Sequence, residues 1–350
     1  MQKGSKSFVI AVVIAIFGIA IAALVLRDQL RCAGFPGPSV ATDELPGGQP
    51  GEGSLRIASW NVRNFPLDER PQEDDLGFSR RTNICDFEAA FGGLDADLYG
   101  LQEVNDIRRF QPILRRACGE RSMDVRYSPS GGRHGQHLAI AWDNSVFELV
   151  GEPMEVRELV LEPGMRPAFA CYFRSLSAGG VDFTLVVVHL ESGPRNFADR
   201  RRQNRALALW IEAWIDEIGD PDVIALGDFN TTGSPRGGLE GELQSVDAIL
   251  GRVGLERLHN LLGCTSYWEG GGGRDGVHVP SMLDHVFVGG TGLDAISRPL
   301  ETWLHCSRWQ CEDLISRSGE EDGTFWDVSD HCPLTFEIRD ANLESQNSEF

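Results

Sequence analysis

The chain has 350 residues, enough to bury a full core, and its 41% hydrophobic and 24% charged content is that of a globular protein. A formal net charge of −20 and a pI near 4.8 exclude a protein that holds nucleic acid by broad electrostatic attraction. They leave local phosphate chemistry open, because exposed charges are screened beyond about 8 Å at physiological salt.

Residues 1–6 form a short basic tail with Lys3 and Lys6. Ser7 to Leu26 carries no charge, and at about 1.5 Å per residue it can span a hydrocarbon core of roughly 30 Å. It reads as a transmembrane anchor or an export signal. Apolar residues continue past Ala20-Ile21-Ala22 to Leu26, which favours a retained anchor over a cleaved signal. Either way the remainder is expected outside the cytoplasm, anchored to the membrane or secreted. Eight cysteines fit a compartment that permits disulfides. Cys306 and Cys311 can close a small loop; zinc beside His305 is the competing idea, without a second C-x-x-C or H-x-x-H to support it. Residues 27–53, rich in proline and glycine, read as a flexible linker, and 341–350 as a disordered polar tail.

Between them, 54–340 reads as one domain. Leu55 to Trp60 alternates as a strand and ends at Asn61. Arg80 to Phe91 has helical spacing, with Gly92-Gly93 as its stop. Asp97 to Leu101 is a strand that delivers Glu103, and Ile107 to Cys118 a helix. Met123 to Ser128, Leu138 to Trp142 and Phe169 to Phe173 are further strands. Val181 to Leu190 is a long apolar strand with His189 near its end. Asn196 to Ile218 is a helix with Leu207, Trp210, Ile211, Trp214 and Ile215 on one side. Its basic cluster, Arg200, Arg201, Arg202 and Arg205, reads as a solvated face.

Val223 to Leu226 is a short strand that stops at Gly227 and sets Asp228 and Asn230, two positions apart, toward one point. Ser245 to Val253 and Leu255 to Leu262 read as short helix and loop. Glu269 to Pro280 is too glycine-rich for regular structure, and Tyr267 and Trp268 before it suit buried packing, stacking on a base or dipping into lipid. Ser281 to Val288 is a strand bearing Asp284, and Ser329-Asp330-His331 precedes a last strand, Leu334 to Ile338. Mixed strands and helices without an internal repeat indicate an α/β domain on two packed sheets.

Each polar strand end has an ordinary reading as a capped turn or a helix start. Together they form a series, and at this point the chain resembles the endonuclease/exonuclease/phosphatase superfamily of deoxyribonuclease I-like enzymes. The matching pieces are S-W-N-V at Ser59 to Val62, L-Q-E-V at Leu101 to Val104, V-H-L at Val188 to Leu190, G-D-F-N at Gly227 to Asn230, L-D-H-V at Leu283 to Val286 and S-D-H-C-P-L at Ser329 to Leu334. The resemblance implies a four-layer sandwich of two mixed β-sheets, face to face and flanked by helices, and a metal-dependent site hydrolysing a phosphate ester. It implies Asn61, Glu103 and Asp330 as ligands of Mg²⁺ or Mn²⁺, and His189, Asp228, Asn230, Asp284 and His331 as the catalytic set. Oxygen donors suit those hard ions, and charge neutralisation with water activation is what phosphoester hydrolysis requires.

Arg133, Gln136 and Asn105 are the candidate substrate contacts. Gln136 stands where pancreatic-type deoxyribonucleases carry a glutamate supporting the first catalytic histidine, and Asn105 where they carry a DNA-contacting arginine. The expectation is therefore a monomeric, membrane-tethered or exported phosphoesterase acting on DNA or RNA. The alternative is a lipid phosphodiesterase or an inositol or sugar phosphatase. A non-catalytic binding module would require loss of the metal or histidine positions, and all are present.

Overall fold

Alternating apolar residues and parallel crossovers build this molecule around two β-sheets. The computed structural model describes residues 45–46, 50–51, 53–66, 82–269, 277–290, 300–315 and 323–341. The apolar segment 7–26 and the tail 342–350 lie outside the described residues, as does most of the linker. Among the described residues no helix is long and apolar enough to cross a membrane.

In chain order the first half comprises β1 (Ser54–Phe65), α1 (Ile84–Leu94), β2 (Leu98–Val104), α2 (Ile107–Ala117), β3 (Met123–Tyr127), β4 (His137–Asp143), β5 (Phe147–Val156), β6 (Ala168–Ser175) and β7 (Asp182–His189). The second half comprises α3 (Phe197–Ile218), β8 (Val223–Asp228), α4 (Gly238–Leu250), β9 (Leu255–Arg257), β10 (Ser266–Glu269), β11 (Val277–Ser281) and β12 (Asp284–Gly289). It closes with β13 (Glu301–Thr302), α5 (His305–Trp309), β14 (Leu314–Ile315), α6 (Gly323–Asp327) and β15 (Leu334–Arg339).

Sheet one runs β13-β15-β1-β2-β4-β3 and sheet two β5-β6-β7-β8-β12-β9. Both are mixed: β1 and β2 are parallel, as are β7 and β8, while the other pairs are antiparallel. Alternation along each strand then assigns two faces. Ile57 and Leu98 of sheet one meet Leu185, Val187, Leu226 and Val286 of sheet two in the inter-sheet core. The outer face of sheet one, with Trp60 and Tyr99, is covered by Phe87 and Phe91 of α1 and Phe110 of α2. Val186, Val188 and Ala225 of sheet two are covered by Leu207 and Ile211 of α3 and Val246 of α4. Each such side chain contributes about 1.5–3 kcal/mol when fully buried. The α/β sandwich expected from the sequence is therefore the architecture.

Local expectations fail where a distant contact overrides a local signal. Helix α1 continues through Gly92-Gly93 to Leu94. A Cβ on Gly92 would lie 2.2 Å from the carbonyl oxygen of Ala117, so this glycine permits close approach of α2 instead of stopping its own helix. The stretch Leu255 to Leu262 contains β9, not helix. Within the glycine-rich region, Glu269 belongs to β10 and Val277 to Pro280 to β11. These pair with each other and, through β11, with β14 in a small third sheet. That sheet is joined to its surroundings by disulfides Cys264–Cys311 and Cys306–Cys332, so the expected Cys306–Cys311 loop is not formed. With Cys306 and Cys332 bonded to each other, their sulfurs are not thiolates available to zinc beside His305.

Candidate active site

Strand register gathers the polar strand ends at one edge of the sandwich. In sheet two His189 is the register partner of Asp228 across the parallel β7–β8 pair, and Asp228 that of Asp284 across β8–β12. Three chemistry-bearing residues thus stand side by side on adjacent strands. From sheet one, β1 and β2 bring Asn61 and Glu103 to their parallel carboxyl ends, where a register shift separates Asn61 from Phe65. Trp60 Nε1 donates to the His331 carbonyl oxygen at 3.0 Å, and Ser329 Oγ donates to that of Asn61 at 2.7 Å. These bonds fasten the segment before β15 against the end of β1.

The backbone is bent hard at this edge. Glu103 has φ 65°, Asn230 φ 53°, Arg63 φ 46° and Asn64 φ 50°, all in the left-handed region that residues other than glycine rarely occupy. Asparagine tolerates it; Glu103 is held there by Asn64 N–H, which donates to Oε2 at 2.9 Å. Gly227, with φ 129°, precedes Asp228, and a Cβ there would meet the Val188 carbonyl oxygen at 2.2 Å. Only glycine lets β8 approach β7 closely enough to pair His189 with Asp228.

Asp228 Oδ2 is the centre of the cluster. Asn61 Nδ2 donates to it at 3.1 Å and to Glu103 Oε1 at 3.1 Å. His189 Nε2 lies 3.4 Å from Asp228 Oδ2 and 3.7 Å from Glu103 Oε1, and His331 Nε2 lies 3.9 Å from Asp228 Oδ2. His331 Nδ1 faces Asp284 Oδ2 at 2.8 Å. The other Asp228 oxygen accepts from Asn230 N–H at 2.8 Å, and Asn230 Nδ2 donates to the Leu190 carbonyl oxygen at 3.0 Å.

Burial sets the protonation of these groups. It pushes the Asp228 carboxyl up to about 7, with His331 opposing the shift and Asp284 adding to it. Burial and then the Arg166 cation hold the His189 imidazole well below its ordinary value. For His331 burial acts downward, but Asp284, Asp228 and Asp330 outweigh it and carry the imidazole well above its ordinary value. The two histidines therefore differ in charge at neutral pH, one neutral and one cationic.

Asp330 is tied in through its backbone, whose carbonyl oxygen accepts from Tyr267 N–H at 3.0 Å. Its Oδ1 is buried without a hydrogen-bond partner among the described residues. The orphaned Asp330 oxygen and the Glu103 carboxylate are hard oxygen donors of the kind a divalent cation takes, whereas Asn61 turns Nδ2 toward the cluster and its Oδ1 accepts from Arg63 N–H at 3.0 Å.

Of the expected substrate contacts, Arg133 is half exposed, with Nη2 3.9 Å from Glu191 Oε1. Asn105 is exposed and donates to Asn64 Oδ1 at 3.2 Å. Gln136 does not reach His189. Its Nε2 donates to Asn64 Oδ1 at 2.8 Å and its Oε1 accepts from Arg166 Nη1 at 2.6 Å, while His189 Nδ1 has no hydrogen-bond partner among the described residues. The reason is Arg166, which the sequence reading missed. It lies in the loop before β6, where nothing local marks it, and its Nε and Nη2 donate to the carbonyl oxygens of His189 and Leu190. Burial lowers its proton affinity while Glu103, Asp228 and Glu191 act in the opposite direction.

The profile described as the Endonuclease/Exonuclease/phosphatase family matches residues 58–331. No curated protein matches the chain. Among solved structures, the human Nocturnin catalytic domain with bound sulfate is 18% identical with TM-score 0.55, over 81% of this chain and 94% of that one. ANGEL2, a 2′,3′-cyclic phosphatase in complex with adenosine-2′,3′-vanadate, is 16% identical with TM-score 0.56, over 82% and 96%. D. rerio TDP2, humanized by 14 mutations, is 18% identical with TM-score 0.52, over 82% and 99%. At such identities the likeness is one of fold.

Proposed function

The chain belongs to the Endonuclease/Exonuclease/phosphatase family and is a phosphoester-hydrolysing enzyme; from that premise we propose that it is an exported or membrane-tethered, Mg²⁺- or Mn²⁺-dependent phosphodiesterase whose substrate is DNA or RNA. The observation that carries the reading is the meeting of both sheets at Asp228 Oδ2, with Asn61 and Glu103 on one side and His189 and His331 on the other.

In this reading Asn61, Glu103 and Asp330 hold the divalent cation, which when bound neutralises the charge of the scissile phosphate. Asp228 takes a proton from the attacking water, a role suited to a carboxyl whose proton affinity burial has brought to about 7. Asn230, fixed between Asp228 and Leu190, orients that water. His331, kept cationic by Asp284, faces the phosphate and opposes its developing negative charge. His189, neutral and turned toward Asp228, donates to a phosphate oxygen.

Two features support a nucleic-acid substrate. Near His189 the half-exposed Arg133 is the accessible cation, with Arg166 behind it engaged by the carbonyl oxygens of His189 and Leu190 and by Gln136. Trp268 stands two residues along β10 from Ser266, whose register partner is His331, so the indole and the imidazole lie on one face of the same ladder. It is 40% exposed, whereas Tyr267 is buried against His305 and Phe325. An exposed indole on the strand that pairs with His331 suits a stacked base, worth about 1–3 kcal/mol. The test is a panel of DNA, RNA, sphingomyelin vesicles and inositol phosphates, each with Mg²⁺ and with EDTA. Metal-dependent nicking or shortening of nucleic acid is expected; headgroup release alone would reject the substrate assignment.

A further inference from the structure

In the basic cluster at the start of α3, Arg201, Arg202 and Arg205 are exposed, as expected of a solvated face, but Arg200 is completely buried. Its Nε donates to Glu242 Oε1 of α4 at 2.7 Å and its Nη2 to Glu242 Oε2 at 3.0 Å. Nη1 donates to the carbonyl oxygens of Glu191 and Gly193, at 3.3 and 2.6 Å, and Nη2 also to Thr232 Oγ1 at 2.9 Å. All donor hydrogens of the guanidinium are thereby engaged, a pattern that a lysine, with three donors on one nitrogen, cannot reproduce. Glu242 Oε2 in turn accepts from Gly233 N–H at 2.6 Å.

The groups held by this pair share one property. Glu191 and Gly193 lie on the segment that leaves His189, and Thr232 and Gly233 on the segment that leaves Asp228 and Asn230. The two segments also join each other, since Asn230 Nδ2 donates to the Leu190 carbonyl oxygen and Leu190 N–H to that of Asp228. Gln203, one helical turn beyond Arg200, accepts from Glu191 N–H at 3.0 Å and keeps the first segment against α3. Replacing a buried ion pair by well-packed apolar residues is often neutral for stability, so stability does not by itself account for this pair. Its geometry does: one guanidinium reaches both loops at once.

We infer that Arg200 and Glu242 are positioning residues that hold the loops after His189 and after Asn230 in their relative placement for turnover. The inference rests on the phosphodiesterase reading above. Because Asn61 and Glu103 come from sheet one, their hold on a divalent cation does not depend on this pair.

The experiment uses the full chain, bis(4-nitrophenyl) phosphate as substrate and Mn²⁺ as the metal. The double variant Arg200→Met/Glu242→Leu keeps the volume of the site filled and is expected to lose about 10²-fold in kcat, the scale of an ångström-level misplacement. Its KM and its directly measured Mn²⁺ Kd should stay within about two-fold of the parent, and Arg200→Lys should not restore kcat. Glu242→Gln, which retains the shape but not the charge, provides a second reading should the double variant not fold, with an expected loss of about 10-fold. Unchanged kcat in whichever variant folds overturns the inference, as does a loss of kcat accompanied by an equal loss of Mn²⁺ affinity. Absence of turnover by the parent chain on this and every other phosphoester would instead reject the phosphodiesterase reading.

Discussion

Asp228 sits at the meeting of two demands, buried among polar partners and required as a base. Its carboxyl is raised to about 7 against an ordinary value of 3.8, chiefly by burial. A folded-state value above the unfolded one means that the folded protein binds the extra proton between those limits, so this group's contribution to stability falls as pH rises through that window. Asp228→Asn is therefore expected to raise the melting temperature of the metal-free protein at pH 8 and to give little or no gain at pH 4, while turnover drops by about 10² or more. A variant no more stable than the parent at pH 8 would contradict the burial argument. Glu103→Ala and His331→Ala should each cost about 10² or more in turnover with the fold retained, because each removes a group placed to bind or oppose charge. Circular dichroism and steady-state kinetics check both, and near-normal rates in the pair would refute the site assignment. His285 sits behind this cluster, 2.8 Å from Thr231 Oγ1, with burial pulling its imidazole down to about 3. It stays neutral when folded but protonates when unfolded near its ordinary 6.5, so stability is lost as pH falls below that value. His285→Gln should flatten the decline in melting temperature between pH 7 and 5.

At the scale of elements, what the sequence displayed and what it hid divide along contact order. His189 and Asp228 were legible because each closes an apolar run and Asp284 because it opens one, and register alone then makes them neighbours. Arg200 was not: its neighbours Arg201, Arg202 and Arg205 share its composition, and only Glu242, far along the chain, distinguishes it. Arg166 likewise displaces Gln136 from His189 through contacts that no local pattern announces. The small sheet was hidden for a related reason: Glu269 and Val277 to Pro280, the two ends of the glycine-rich stretch, pair with each other's strands and with β14, partners that local composition does not show. Strand β10 pairs Ser266 with His331, flanked by Tyr267 N–H donating to Asp330 and Cys332 N–H to Thr265. Cys332, the residue after His331, is then bonded to buried Cys306. His331 is thus held from both sides of the chain. Reduction of the disulfides, or Cys306→Ser with Cys332→Ser, should lower kcat at least 10-fold and lower the melting temperature, because a native disulfide typically contributes about 2–4 kcal/mol. Far-UV circular dichroism of the two large sheets should persist. Full activity after thiol titration confirms reduction would show that the ladder alone holds His331.

For the molecule as a whole, the direction of the site relative to the chain's point of entry bears on the substrate. Ser54, the first residue of β1, pairs with Arg339 at the end of β15, and Asn61 lies seven residues further along β1. At about 3.3 Å per residue the site is then roughly 23 Å from the end of the sheet where residue 53 joins it. If 7–26 anchors the chain, a site at the opposite end points away from the bilayer unless the domain turns over on its linker. Leu45, within the stretch expected to link the two, is buried in the core cluster under α1, where Gly93 faces its Cδ1. Charge at the end near Ser54 is mixed, since Asp97 is buried and paired with Arg121 while Arg339 and Asp340 lie together there; the placement of the site at the far end of β1 is what sets the expectation. The full chain reconstituted in vesicles that contain sphingomyelin and an anionic lipid should therefore cleave an added oligonucleotide at the rate of the detergent-solubilised protein. It should release little phosphorylated headgroup from the membrane that holds it. Rapid headgroup release with slow oligonucleotide cleavage would mean that the domain lies site-down, and would transfer the assignment to a lipid phosphodiesterase.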